Sequence, residues 1–428
     1  MTLDPSVLHV NYSDNGGGAA RAALRLHLAL DAGGFDSSML LRQVGTNAPH
    51  LLGPRSPTEA VLSQLRSPVG RAIMRLQRSG CRVPRSGNFL PSGWASRIES
   101  IAPDVVNLHW IGAETMSIED VARIKRPVVW TLHDMWAFCG SEHIQPDETR
   151  WAQGYTRKNR RIEDMGLDLD KWVWLRKKKA WRLPMRIIAP SQWMADCVNR
   201  SALMSEAAVK IIPNVLDTEL YCPLDRFKCR SELGLPQGKV LVLFGAIQGG
   251  ADPNKGYDLL KEALGHLQTF AEPCNVECVV FGEKEPTYDR LLPVKTHWLG
   301  HIDSEATLAR IYSAVDVMVV PSRVENLPQT ATEAQSCGCP VVAFGVSGLK
   351  DVVHDRITGY LADPYDAGDL SRGIRWVTED SCQLSLLRRS ARDRAVRLWH
   401  ARAVLPEYVQ QYQLAIEDVA RVKSGGAK

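Results

Sequence analysis

Two carboxylates eight residues apart, Glu325 and Glu333, stand in a stretch whose local pattern fixes where each can point. Residues 316–320 form a short apolar, β-branched run closed by Pro321, the pattern of a strand buried in a parallel sheet. Asn326 can cap a helix, Pro328 falls where a missing N–H costs nothing, and Gly338 ends that helix before a second strand at 340–344. Glu325 then lies in the loop at the carboxyl end of a strand, and Glu333 lies inside the helix. The N–H groups around Asn326, Leu327, Gln329 and Thr330 point out of the helix start, beside Glu325. Such N–H groups can hold an anionic diphosphate while the acids hold hydroxyls nearby. Ribose and hexose rings carry those hydroxyls, so the chemistry is recognition of a nucleotide sugar.

The elements that must position these groups follow from periodicity and punctuation. At 428 residues the chain exceeds one ordinary core, which predicts two domains. A strand at 6–11, the loop Gly16, Gly17, Gly18 and a helix at 19–30 open a doubly wound domain, where glycine lets backbone approach a ligand. The G-x-G-x-x-G spacing of a dinucleotide fingerprint is absent. Strands are expected at 35–42, 103–110 and 128–134, and His109 and His133 fall at strand ends, where α/β sheets build sites. The boundary is expected near 205–222, giving a first domain over 1–210 and a second over 211–402. The second domain should hold strands at 240–244, 276–282 and 298–302, with helices at 257–267, 305–314, 381–399 and 403–421.

With these residues in place, the chain resembles the retaining glycosyltransferases of family GT4. Glu325-x7-Glu333, with Leu-Pro between the acids and Cys337-Gly338-Cys339-Pro340-Val341-Val342 after them, is similar to that family's EX7E signature. The run 131–136, Thr-Leu-His-Asp-Met-Trp, is similar to enzymes of the group that build surface polysaccharides, including those of colanic-acid type. Residues 210–217 resemble the family's "IPNGID" passage into the second domain, and Lys255-Gly256 matches its K-G before a helix.

The resemblance implies an α/β, GT-B fold: two doubly wound Rossmann-like domains facing a central cleft, with a final helix, about 403–428, returning to the first domain. It implies transfer of a hexose from a GDP- or UDP-sugar, with retention, to a hydroxyl of a glycan or lipid-linked oligosaccharide. Lys255 would pair with the donor diphosphate, where a fixed cation stabilises the charge developing on the leaving group. Glu325 and His133 would meet the donor sugar, and Glu333 the ribose. Gly17 and Gly18 would face the ligand, and backbone near Ile302 would seat the base. No metal and no cofactor beyond the donor is expected, since Lys255 and helix dipoles can replace a cation. One departure stands out: Ala246 occupies the place of a family arginine, so another cation (Arg323 or Arg21) or helix N–H groups must carry that charge. Rival readings are a non-catalytic scaffold on a decayed fold, or a GT-B epimerase or phosphorylase.

Composition is ordinary, at 45% apolar and 23% charged, and the net charge of +4 does not suggest a nucleic-acid binder. No apolar run reaches membrane-span length and the N-terminus lacks a signal-peptide pattern, which points to the cytoplasm. The ten cysteines lack zinc spacing and read as reduced thiols. Two basic segments are candidates for an anionic membrane face or, equally, for packing on their own domain: 66–85, read as an arginine-rich helix with Val69, Ile73, Met74 and Leu76 on one side, and 171–182, with Trp172, Trp174 and Trp181 among cations as membrane contacts or as anchors.

Overall fold

β-Branched runs become strands, and the glycine- and proline-marked segments after them become the loops on which polar residues sit. The computed structural model describes residues 4–80, 83–145, 149–181, 184–245, 252–269, 275–285 and 291–425. The chain forms two units, Met1–Val215 with Val404–Lys428, and Leu216–Ala403.

The first unit contains strands β1 (Val7–Ser13), β2 (Ser37–Gln43), β3 (Leu51–Leu52), β4 (Gln77–Arg78), β5 (Val105–Leu108), β6 (Val128–Thr131), β7 (Met165–Gly166), β8 (Met185–Ala189) and β9 (Ala208–Ile211). Seven of them make a parallel sheet in the order β3-β2-β1-β5-β6-β8-β9, while β4 and β7 pair antiparallel. The order turns back between β1 and β5, the point where open α/β sheets bind ligands beyond their carboxyl ends. Helix Ala401–Gly425 lays fully buried Tyr408 and Tyr412 against this unit. The Tyr412 hydroxyl meets the Asn107 amide at 2.9 Å, and Arg186 reaches Asp418 at 2.8 Å.

The second unit is a six-stranded parallel sheet of β10 (Val240–Gly245), β11 (Val276–Phe281), β12 (Thr296–Trp298), β13 (Val317–Val320), β14 (Val341–Phe344) and β15 (Gly359–Ala362). Its order is β12-β11-β10-β13-β14-β15, so the turn-back lies between β10 and β13. Buried Asp316 fastens that junction: its carboxylate accepts from Arg226 (2.6 Å), Arg230 (2.7 Å) and the Leu241 N–H (2.8 Å). β12 ends at Trp298, so the strand expected over 298–302 is displaced towards the N-terminus, and Ile302 lies in the following loop, packed against the core.

Three expectations change. Helix Gln329–Ser336 begins after Pro328, so Asn326 is not its cap. Pro328 disfavours helical geometry at the residue before it, which pushes the start downstream. The helix stop is as expected: Gly338, at φ +72°, donates to Gln335 at 2.9 Å while Cys339 donates to Ala334 at 2.8 Å, a Schellman closure.

The basic helix expected at 66–85 is instead Pro57–Met74. Ser56 caps it by accepting from the Glu59 N–H, Pro57 stands at its first position, and the chain leaves it to form β4. Residues 81–82 lie outside the described residues. In helix Leu169–Ala180 the aromatic and basic residues divide between the core and the surface. Trp174 is buried, Trp181 packs on Trp130 and Trp136, and the buried Lys177 ammonium donates to the carbonyls of Trp136, Cys139 and Gly140. Most of this segment anchors the loop after β6. Trp172 remains half-exposed and stacks on Phe89.

Candidate active site

In the second unit, Lys255 and Glu325 come together beyond the carboxyl ends of β10 and β13. The lysine Nζ lies 2.7 Å from Glu325 Oε1, with 34% of the lysine and 15% of the glutamate side chain exposed. The Ser322 hydroxyl donates to the same oxygen at 3.0 Å. The Glu325 N–H donates to Ser347 Oγ at 2.9 Å, and its carbonyl accepts from the Gly348 N–H at 2.9 Å. The Glu325 carboxylate holds the Lys255 ammonium above its ordinary value, outweighing the opposite effect of burial.

Two glycines make this approach possible. Gly256 has φ +66°, and a Cβ there would lie 1.9 Å from the Pro321 carbonyl oxygen. Only glycine lets the lysine loop close onto the end of β13. A Cβ on Gly348 would lie 1.4 Å from the Asn326 carbonyl oxygen, so this glycine seats the Glu325–Asn326 backbone. Between them Ser347 takes φ +43°, a left-handed conformation uncommon for a residue with a side chain.

Asn326 and Leu327 are buried, and the first turn of helix Gln329–Ser336 carries the N–H groups of Gln329 and Thr330 next in the chain. Glu333 lies on that helix but is fully buried, with the Tyr312 hydroxyl donating to it at 2.8 Å. A ribose reaching it must displace what covers it. Arg323, one candidate for the charge missing at Ala246, is committed elsewhere: it forks onto Asp258 at 3.0 and 2.6 Å and donates to the Pro253 carbonyl. Ala246 itself lies outside the described residues. Among the described residues no group of three or more His, Cys, Asp or Glu side chains is arranged to hold a metal ion.

In the first unit, the loop after β1 and the N-terminus of helix Gly18–Ala32 border a cavity of about 440 Å³, lined by Asn15, Gly16, Gly17, Gly18 and Trp110 among others. A Cβ on Gly17 or Gly18 would meet no protein atom within 4 Å. What these glycines spare is open space over the helix start. Arg21, the other candidate cation, is half-buried on this helix.

Trp110 also lines a small pocket with His109, His133 and Asp134, so the glycine loop and His133 share one edge of the sheet. The Asp134 carboxylate accepts from Trp110 Nε1 at 2.6 Å and meets His143 Nδ1 at 2.5 Å. Burial alone would raise Asp134, but the His143 ring and its hydrogen bonds bring it below the usual carboxylate range. Burial pushes His133 down to about 4, against a partial lift from Asp134. Its ring is neutral near pH 7.

Residues 16–220 match the family described as Glycosyltransferase Family 4, and residues 225–395 match Glycosyl transferases group 1. Together the two matches reach into both units of this chain. A D-inositol 3-phosphate glycosyltransferase of Segniliparus rotundus is 32% identical over 42% of this chain and 41% of its own length. One from Catenulispora acidiphila is 30% identical over 56% of this chain and 58% of its own. The chain thus spans about half the length of the curated relatives it matches. Among solved structures, sucrose-phosphate synthase from Thermosynechococcus elongatus superposes with a TM-score of 0.66 at 18% identity, covering 96% of this chain and 98% of that one. Anabaena Alr3699/HepE, solved with UDP and glucose, gives 0.65 at 18%, covering 96% and 99%. These likenesses establish the GT-B fold.

Several residues in these networks carried no role in the sequence reading. Ser322 and Ser347 flank Glu325 within familiar-looking stretches but have no pattern that marks a hydroxyl for a carboxylate. His9, embedded in the apolar strand β1, lies 2.9 Å from His109 through ring nitrogens. His143, Tyr312 and Trp110 are linked to their partners only by tertiary structure.

Proposed function

We propose that the chain is a retaining glycosyltransferase that moves a hexose from a GDP- or UDP-sugar to a hydroxyl of a glycan or lipid-linked oligosaccharide. The observation that carries this reading is the Lys255–Glu325 pair, 2.7 Å apart at the carboxyl ends of β10 and β13. An arriving diphosphate competes with Glu325 for the ammonium, which leaves a carboxylate oxygen able to accept from a sugar hydroxyl. As the nucleoside diphosphate leaves, Lys255 stabilises its growing charge without a metal ion. His133 meets the sugar as a neutral ring, Glu333 and the first-turn N–H groups of Gln329 and Thr330 take the nucleotide side, and Gly17 and Gly18 leave room for the ligand.

The name of the curated relatives makes an inositol phosphate the first acceptor to try beside surface glycans. Peripheral contact with an anionic membrane stays in the proposal on altered grounds. Helix Pro57–Met74 exposes Val61 (57%), Leu62 (63%), Leu65 (53%) and Val69 (44%), and Arg71, Arg75 and Arg78 are exposed on and just beyond it.

Thermal denaturation against UDP, GDP, ADP and dTDP, with and without EDTA, tests the reading. A ligand at a hundred times its Kd adds about 2.7 kcal/mol to the native state. A shift with one nucleotide, indifferent to EDTA and lost in Lys255→Ala, supports a metal-independent transferase and names the base. No shift with any nucleotide at millimolar concentration overturns it in favour of a non-catalytic scaffold.

A further inference from the structure

Three imidazoles cross the first unit's sheet one strand at a time. His9 on β1 is in register with Asn107 on β5, and Asn107 with Val129 on β6. His109 lies two residues beyond Asn107, and His133 two residues beyond the position level with His109. Two-residue steps keep side chains on one face. The rings therefore climb diagonally to the carboxyl edge, where His133 lines the pocket beside Trp110.

His9 Nδ1 lies 2.9 Å from His109 Nε2, and His109 Nδ1 lies 3.0 Å from His133 Nε2. The His109 and His133 ring planes differ by 19°. His9 and His109 are buried to 0% and 2% exposure.

A neutral imidazole has one N–H and one bare nitrogen, so each link needs one donor and one acceptor. Only two patterns satisfy both links: all three rings carry hydrogen on Nδ1, or all three carry it on Nε2. The far end of the ladder decides between them. His9 Nε2 is buried and has no hydrogen-bond partner. In the second pattern it would be an orphaned buried N–H, which native structures avoid more strictly than an under-used acceptor. In the first it is a bare lone pair. The first pattern wins.

We propose that His9 and His109 are positioning residues that lock His133 in its Nδ1–H form, so that it presents a hydrogen-bond donor to an oxygen of the bound sugar. The sugar contact rests on the transferase reading above, whereas the tautomer does not. Locked this way, His133 orients a ligand oxygen and is unavailable as a base, because its other nitrogen is spent accepting from His109.

Long-range 1H–15N correlation on the 15N-histidine-labelled, ligand-free chain at pH 7 reads each tautomer directly. His9, His109 and His133 are expected as Nδ1–H. His27 is a built-in contrast: its Nε2 faces the Pro49 carbonyl at 3.0 Å and its Nδ1 faces Ser37 Oγ at 2.7 Å, so it should be Nε2–H. Finding His133 as Nε2–H overturns the proposal whatever the protein's activity, and this measurement needs no variant. His9→Phe removes the donor that sets the direction, and His133 should then populate Nε2–H as well. A His133 unchanged in that variant shows that the ladder does not set it. His9→Phe should also weaken sugar-nucleotide binding at least tenfold while leaving the affinity for the bare nucleotide unchanged. Equal losses for both overturn the sugar contact, and failure of either nucleotide form to bind wild type refutes the transferase reading alone.

Discussion

The closure of the lysine loop onto β13 depends on Gly256, and two other glycines separate the causes. Gly234 shares its φ of +66° but has nothing within 4 Å of a built Cβ, so Gly234→Ala meets only the left-handed backbone cost, about 1–2 kcal/mol. Gly348 has an ordinary φ of −71° but would place a Cβ 1.4 Å from the Asn326 oxygen, so its alanine variant meets only the clash. Gly256→Ala meets both. A Cβ 1.9 Å from the Pro321 oxygen must move away by more than an ångström, and overpacking of that kind costs about 1–3 kcal/mol. The expected destabilisation is therefore about 2–5 kcal/mol for Gly256→Ala against about 1–2 for Gly234→Ala. Parting the 256 and 321 backbones also draws Lys255 Nζ out of hydrogen-bond reach of Glu325. Denaturant midpoints give the stability, and isothermal titration gives affinity for the nucleotide that wild type selects. Gly256→Ala should bind at least tenfold more weakly, and Gly234→Ala should bind like wild type. The reasoning fails if Gly256→Ala is no less stable than Gly234→Ala, or keeps wild-type affinity.

Two further outcomes follow from the first unit. Burial, and then Asp170, lift the Glu142 carboxyl to about 7, so between its unfolded value of 4.5 and pH 7 the native state holds a proton that the unfolded chain has released. Stability from this group is present below pH 4.5 and is lost as pH rises towards 7. Buried histidines with lowered values act in the opposite direction, so the test is the difference between wild type and Glu142→Gln across pH 5 to 7; parallel curves would refute the assignment. Sedimentation with vesicles tests the exposed helix face: binding to phosphatidylserine vesicles but not to neutral ones should vanish in Leu62→Asp/Leu65→Asp, and the membrane contact is wrong if wild type stays in the supernatant with both.

What could be read before folding was what short-range physics encodes. The loop–helix–stop around Glu325 and Glu333 is local, since Pro328 and Gly338 act on their own neighbours, and even there the residue-before-proline restriction shifted the start past Asn326. The helix Pro57–Met74 starts upstream of the expected 66–85 because its start signal, Ser56 with Glu59 three residues on, precedes the arginines. The tryptophans and cations of 171–182 stayed open between a membrane face and anchors because sequence does not say that three backbone carbonyls need Lys177 inside. The same limit applies to the candidate site. Glu325 was visible from a motif, but the state in which it waits, gripped by Lys255 and held by Ser322 and Ser347, joins positions 255, 322, 325 and 347, which meet only when β13 and β14 pair and Gly256 closes on Pro321. His133 was visible at a strand end, yet its tautomer is decided at His9, 124 positions earlier in the chain, through a register that neither strand specifies alone. Short-range motifs name the groups that meet a ligand, and sheet register decides which of their atoms are free to do so.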